Sequence, residues 1–175
     1  LIHLIIVNTK KPAGRKDSMK KEQLGQLILA SEDTLYHVAK SLLVSDADCA
    51  DAIQEAIVKA FTNLHTLRQD SYAKTWLVRI LINECYTLMR KAKHLVSLEE
   101  YQRPETASEA ADYSELYEAI RRLPADIRIC IILYYLEGYS VKETAKILKV
   151  TESTVKNRLA RARTRMRREL EPTAT

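Results

Sequence analysis

The sequence contains few glycines and prolines, which interrupt helices and strands, and few cysteines, which can cross-link a chain. Its 175 residues include 3 glycines, 4 prolines and 3 cysteines. So few glycines argue against a strand-rich fold, whose tight turns need residues with positive φ. Gly14, Gly25 and Gly138 are also too scattered to form a glycine loop around a phosphate group.

Cysteine chemistry and membrane insertion are equally poorly supported. Cys49, Cys85 and Cys130 are odd in number and form no CxxC pair, so the sequence supports neither a disulfide framework nor a zinc knuckle. Free cysteines predict a reducing, cytoplasmic location. The apolar run at residues 4–7 is far too short to span a bilayer, so direct membrane insertion is not expected.

The sequence predicts neither a catalytic centre nor a metal site. Its four histidines are scattered, without cysteines or carboxylates at ligand or triad spacing. We therefore expect a protein that is not an enzyme and needs no cofactor.

The sign of the charge along the chain is more informative than its total. The net charge is +5, of which residues 1–18 contribute +3; this segment precedes Met19 and is interpreted as a disordered or artificial leader. Residues 46–55 are acidic, residues 72–93 basic and residues 94–118 acidic again. Residues 140–171 then hold ten basic and four acidic side chains.

Hydrophobic periodicity indicates helices almost throughout. Apolar residues recur at helical spacing between residues 20 and 93, and the polar segment 65–71 is predicted to be a loop before a helix over 72–93. Residues 94–112 have the composition of a linker. The predicted fold is therefore all-α, with helical domains at 19–93 and 113–171 joined by an acidic linker.

The second domain has the pattern of a helix-turn-helix. Short helices are predicted over 113–123 and 125–137, the second ended by Gly138. Ser140 and Glu143 fit a capping box that starts the next helix, which should stop near Leu148. A long basic helix then follows a cap at Thr151 or Ser153 and runs to about residue 170.

The basic helix suits DNA binding. Residues 158–168 contain six arginines and no acid, so they lack the i,i+4 partners of a self-neutralised face. Lys156, Asn157 and Arg161 point away from the apolar stripe of the helix, and such side chains can bond to guanine and adenine edges. The alternative is a solvated surface helix.

These motifs resemble the extracytoplasmic-function (ECF) group of bacterial sigma factors, the promoter-recognition subunits of RNA polymerase. The C-terminal resemblance lies in residues 123–125, 140–145 and 154–163, and implies a domain that reads the minus-35 promoter element. The N-terminal one lies in residues 48–56, 59–61 and 75–80, with Asn83. Together they cover about residues 24–170.

The resemblance implies three functional surfaces, with core RNA polymerase, promoter DNA and an anti-sigma protein as partners. The acidic face at Asp48, Asp51, Gln54 and Glu55 would bind polymerase. The minus-10 element would be bound by Arg68, Gln69, Asp70, Ser71, Lys74, Arg79, Asn83 and Arg90, with Trp76 as a supporting residue. The minus-35 element would be bound by Ser153, Thr154, Lys156, Asn157, Arg158, Arg161 and Arg163.

Two other functions remain open at this point. The C-terminal motif alone would also suit an operator-binding regulator, and an all-helical chain could be an adaptor with no nucleic-acid role. The acidic face at residues 48–55 and the block at residues 75–79 favour the sigma factor over the regulator.

Overall fold

The computed structural model describes residues 19–96 and 119–170. Within these two ranges no residue forms a strand, and the predicted all-α fold is confirmed. The helices are α1 (Lys21–Leu29), α2 (Glu32–Leu42), α3 (Asp46–Thr62), α4 (Ala73–Val96), α5 (Ala125–Ile131), α6 (Val141–Leu148) and α7 (Glu152–Leu170).

Helices α1 to α4, the N-terminal helices, pack around a core of branched side chains. Leu24, Val38, Leu77 and Leu81 are completely buried. On α3 the buried positions are small, at Cys49 and at the alanines spaced four residues apart over 52–60. Because residues four apart lie on one helix face, this stripe lets α4 pack closely against α3.

The segment between α3 and α4 is an ordered connection rather than one long loop. It contains two short 3₁₀ turns, Leu64–Thr66 and Asp70–Tyr72. Buried Leu67 lies between them. The turns hold residues 68–71 at the surface, directly before α4.

Helices α5 to α7, the C-terminal helices, form a second cluster. Residues 119–122 are helical, and α5 starts after its N-cap Pro124. The helix predicted over 125–137 is not α-helical throughout, because its last part, Ile132–Leu136, is a π-helical turn. Gly138 ends it with φ of +70°, as its position predicted.

The two groups of helices share part of their core. The larger hydrophobic cluster joins buried residues of α1 to α4 with Ile129, Leu133 and Ile147 of the C-terminal helices. A smaller cluster, which includes Val155 and Leu159, lies within the C-terminal helices. Contacts between α2 and α5 and between α4 and α6 therefore fix the C-terminal helices against the N-terminal ones.

Several predicted features lie outside the described residues. These are the leader at 1–18, the linker from residue 97 to 112 and most of the helix predicted over 113–123. Helix α4 continues to Val96, three residues beyond its predicted end. No helix within residues 19–96 and 119–170 is long and apolar enough to cross a membrane.

Candidate nucleic-acid interface

The acidic face is the exposed side of α3. Ser45 caps this helix by accepting a hydrogen bond from the backbone N–H of Asp48 at 3.3 Å. The side chains of Asp48, Asp51, Gln54 and Glu55 are all exposed. The prediction that these four residues share one accessible surface therefore agrees with the structure.

A groove of about 460 Å³ lies beside this face, between α3 and α4. Asp51, Gln54 and Glu55 line its α3 side. Lys59 Nζ lies 2.6 Å from Glu84 Oε2 across the groove and 3.5 Å from Glu55 Oε1 on its own helix. The hydrogen bond to Glu84 raises the pKa of Lys59 above its ordinary value, while the side chains of Lys59 and Glu55 are 43% and 54% exposed. Lys59 thus offsets part of the negative charge, and the acidity is strongest toward Asp48 and Asp51.

The residues predicted to hold a melted strand begin in the connection before α4. Arg68, Gln69 and Ser71 are exposed. Asp70 is also exposed, and its Oδ1 accepts a hydrogen bond from the backbone N–H of Met19 at 3.0 Å. The side chains of Arg68, Gln69 and Ser71 therefore project from a short, ordered turn. Asp70 also holds the backbone in place at Met19.

On α4 the predicted residues divide into two groups. Lys74 and Arg79 face the C-terminal helices: the ammonium of Lys74 lies 5.7 Å from the ring centre of Tyr139, and Arg79 donates a 2.5 Å hydrogen bond to the carbonyl of Lys146. Asn83 and Arg90 line a groove of about 550 Å³ farther along α4. Trp76 is half-buried against the larger core cluster, which fits a supporting role.

The helix-turn-helix geometry follows from local caps. Ser140 Oγ accepts the backbone N–H of Glu143 at 3.2 Å, and Glu143 Oε2 accepts the backbone N–H of Ser140 at 2.9 Å, which completes the predicted capping box. Helix α6 ends at Leu148, and its C-cap Lys149 has a left-handed backbone with φ of 55° and ψ of 43°. The backbone N–H of Thr154 bonds to Thr151 Oγ1 at 3.1 Å, so Thr151 rather than Ser153 caps the start of α7.

A small residue allows α6 and α7 to cross closely. Ala145 packs in the smaller cluster with Val155, Leu159 and Ala162 of α7, all of them buried. The buried positions of α7 form the apolar stripe that the sequence pattern predicts for the basic helix. The opposite side of α7 is consequently turned to solvent.

The predicted minus-35 residues do not all lie on that solvent side. Ser153, Lys156, Asn157 and Arg161 are exposed and share one face, whereas Thr154 is half-buried and bonded to the Thr151 cap. Two arginines have protein partners. Arg158 Nε lies 3.2 Å from Asp126 Oδ2, and Arg163 donates to Tyr135 Oη at 3.2 Å.

Comparison with family models matches both halves of the chain. One model covers the N-terminal helices and the other covers the C-terminal helices. Residues 27–95 match the family model described as sigma-70 region 2, and residues 113–166 match that of sigma-70 region 4. These two matches cover well over half of the chain. The chain belongs to the ECF sigma factors.

Individual relatives agree with this assignment. The ECF RNA polymerase sigma factor SigM of Mycobacterium tuberculosis is 32% identical over 146 residues, which are 82% of this chain and 74% of SigM. The ECF RNA polymerase sigma-E factor of Escherichia coli is 31% identical over 150 residues, 75% of this chain and 78% of that protein.

Among solved structures, the Bartonella quintana sigma factor RpoE, in complex with the anti-sigma factor NepR, is similar with a TM-score of 0.78. It is 28% identical, with 87% of this chain and 99% of RpoE covered. The resemblance read from the sequence motifs is thereby confirmed. Sigma factors are in general not enzymes.

The sigma factor has no candidate metal cluster among the side chains described in 19–92 and 119–169. Its cysteines are buried and free. Burial raises the pKa of Cys49 to about 11 and that of Cys85 to about 12, and it also raises the pKa of Cys130. Because the thiolate is the reactive form, these thiols are poor nucleophiles at neutral pH.

Sequence reasoning missed the sigma factor residues that join the two groups of helices. His37 and Glu137 form an ion pair when the imidazole is protonated, with Nδ1 and Oε1 2.9 Å apart. Lys146 lies over the ring of Tyr72, 5.1 Å from its centre. These partners are far apart in sequence, so no local motif indicates them.

Proposed function

We propose that this ECF sigma factor binds bacterial core RNA polymerase in the cytoplasm and directs it to promoters through contacts at two elements. The first domain, residues 19–93, would bind polymerase and the minus-10 element. The second, residues 113–171, would bind the minus-35 duplex, and residues 94–112 would link them. The observation that carries the proposal is the exposed polar and basic face of α7, opposite a buried apolar stripe in a helix-turn-helix.

The polymerase contact is assigned to the acidic face of α3 and the adjoining groove. Asp48, Asp51, Gln54 and Glu55 present three carboxylates and an amide to solvent. A basic helical surface on polymerase would complement them, and an exposed cluster of one sign also speeds association. The groove beside α3 offers an edge against which such a helix could pack.

The minus-10 contact is assigned to the connection before α4 and to α4 itself. Arg68, Gln69 and Ser71 can donate hydrogen bonds to the edges of an unstacked base. Lys74, Arg79 and Arg90 can follow the phosphate backbone of the melted strand, with Asn83 between them and Trp76 supporting the helix. Asp70 would act mainly by holding the turn through its bond to Met19.

The minus-35 contact is assigned to α7, whose residues would have different roles in DNA binding. Lys156, Asn157 and Arg161, with Ser153, occupy the face that would enter the major groove and bond to base edges. Arg158 and Arg163 would contact phosphates, because their bonds to Asp126 and Tyr135 turn them from the centre of that face. Thr154 would position the helix N-terminus through its cap.

An anti-sigma protein is the third proposed partner. It is supported by the likeness to RpoE, whose structure was solved with the anti-sigma factor NepR. The sigma factor itself would carry out no catalysis and hold no cofactor, since nucleotide addition belongs to polymerase.

Run-off transcription tests the proposed function directly. Bacterial core polymerase would be combined with this protein on a genomic promoter library, and transcripts that require the protein are the expected result. Absence of stimulation, together with absence of co-purification with core enzyme, would contradict it. An operator-binding regulator would bind duplex DNA without co-purifying, and an adaptor would show no steep salt dependence of DNA binding.

A further inference from the structure

The guanidinium of Arg158 on α7 is held by two side chains of α5. Its Nε lies 3.2 Å from Asp126 Oδ2, and the Arg158 side chain is only 23% exposed. The same guanidinium lies beside the Cys130 thiol: burial raises the pKa of this thiol, and the nearby Arg158 opposes the rise. Arg158 is therefore confined on the side that faces α5.

Both partners of Arg158 have fixed positions. Asp126 and Cys130 are four residues apart on α5 and so lie on the same face of this helix, and Cys130 Sγ donates a hydrogen bond to the backbone carbonyl of Asp126 at 3.3 Å. Cys130 is buried in the smaller hydrophobic cluster together with Val155 and Leu159 of α7. The packing of α5 on α7 thus sets the distance between the Asp126 carboxylate and the guanidinium.

Asp126 has two opposite effects on an approaching phosphate. Its side chain is 51% exposed, so its negative charge repels the anion. It also holds the long side chain of Arg158, whose rotamer freedom would otherwise be lost on binding. A guanidinium has more N–H donors than these partners use, so Arg158 can still donate to a phosphate. Because Arg158 is also confined by Cys130 and by burial, we expect the gain from ordering to exceed the repulsion.

From this arrangement, and resting on the proposed function, we infer that Asp126 is a positioning residue for minus-35 binding. It holds the Arg158 guanidinium in one orientation beside the base-reading face, ready for a DNA phosphate. An acidic side chain that touches no DNA thereby strengthens the binding of a polyanion.

Asp126→Ala in the full chain tests this inference. Binding would be measured by fluorescence anisotropy with a promoter duplex recovered from the run-off library and with an unrelated duplex of equal length. Although the variant is more positive than the parent, it should bind both duplexes about two- to tenfold more weakly, which is the loss expected when one arginine must be ordered on binding. Asp126→Glu keeps the carboxylate and should bind nearly as tightly as the parent.

Two controls separate positioning from charge and from folding. Glu152→Gln removes an exposed negative charge in the first turn of α7 and should bind DNA at least as tightly as the parent. In an Arg158→Ala background, Asp126→Ala should cause no further loss, because the side chain that it positions is gone. Urea titration of each variant would show whether it is folded under the binding conditions. A purely structural role of Asp126 would weaken binding equally in both backgrounds.

A second measurement needs no DNA. Nitrogen-15 relaxation of the arginine Nε–H groups should show Arg158 to be more rigid than Arg161 in the parent, and comparably mobile in Asp126→Ala. The inference is overturned by equal mobility of the two arginines in the parent, by undiminished binding of Asp126→Ala, or by an equal loss in the Arg158→Ala background. The proposed function fails separately, if the parent neither binds these duplexes nor stimulates run-off transcription.

Discussion

Lys149 holds a backbone conformation that suits glycine better. It is the one non-glycine residue with positive φ in the described part of the chain. Its N–H and that of Val150 both bond to the carbonyl of Ala145, so the left-handed turn satisfies the end of α6. Lys149→Gly should therefore raise the free energy of unfolding by about 1 kcal/mol, as measured by urea titration.

Lys149→Ala is the control for the lost charge, because alanine keeps the Cβ that makes this conformation costly. It should bring no comparable gain in stability. Equal stabilities of the glycine and alanine variants would show that backbone strain at this position is negligible.

Glu143 links the capping box to pH. Hydrogen bonds from the Ser140 hydroxyl and backbone N–H lower the pKa of Glu143 below its ordinary value of 4.5. Because the folded state has the lower pKa, the ionised carboxylate stabilises the fold above the unfolded pKa. That contribution is lost as the pH falls through the folded pKa. The parent should thus be more stable than Glu143→Gln near neutral pH, and the difference should vanish in acid.

Denaturant titrations at a series of pH values from neutral to about pH 3 would measure this difference. In a Ser140→Ala background the effect of Glu143→Gln should be smaller, because one of the two hydrogen bonds to the carboxylate is gone. A difference that stays constant across the pH range would contradict the assignment.

At the scale of helices, the caps could be predicted from sequence because cap and partner lie within one turn. The Ser140 capping box and the end of α6 at Leu148 are of this kind. The π-helical turn at Ile132–Leu136 could not be predicted. Its backbone hydrogen bonds join residues five positions apart, and no simple side-chain pattern in the sequence marks that change from α-helical bonding.

The basic helix α7 shows the same limit of prediction from sequence. Its arginines look alike in sequence, but Arg158 is paired with Asp126 of α5 and its side chain is only 23% exposed. Arg161, three residues on, lies on the exposed face. Packing against another helix therefore gives different surroundings to residues that periodicity alone treats as one set.

This difference yields a paired prediction for minus-35 binding. Arg161→Ala should weaken binding to a duplex that carries the minus-35 element by about 1 to 3 kcal/mol if the guanidinium contacts a base, and should relax the preference at one position. Fluorescence anisotropy with promoter duplexes recovered from the run-off library would measure it. Arg158→Ala should instead weaken binding evenly across sequences. An unchanged preference in Arg161→Ala would remove this residue from the base-reading set.

The acidic face of α3 gives a prediction for polymerase binding. Asp51→Lys reverses an exposed charge at the edge of the α3–α4 groove and should weaken association with core enzyme, with the largest effect at low salt. Asp33→Lys makes the same change on an exposed position of α2 and serves as control. Co-purification at two ionic strengths would compare them, and equal losses would indicate a general charge effect.

The whole molecule depends on contacts that no segment of sequence reveals. Sequence patterns predicted two separate helical groups, and the boundaries of α6 and the basic character of α7 could be predicted from local patterns alone. The docking of one group on the other joins residues as far apart as His37 and Glu137, 100 positions along the chain. Tertiary packing of this kind depends on how the surfaces of the two groups fit together. Hydrophobic periodicity shows only which face of each helix is apolar.

The shared core carries the last prediction. Ile129, Leu133 and Ile147 belong to the same hydrophobic cluster as the buried residues of α1 to α4. Unfolding the C-terminal helices would therefore expose apolar surface of the N-terminal ones, which couples the two groups. Calorimetry of the full chain should show one thermal transition, with calorimetric and van 't Hoff enthalpies in agreement. Ile147→Asp buries a charge in the cluster and should separate an earlier transition of the C-terminal helices from a later one. Two transitions in the parent protein would mean that the shared cluster contributes too little to hold the groups together.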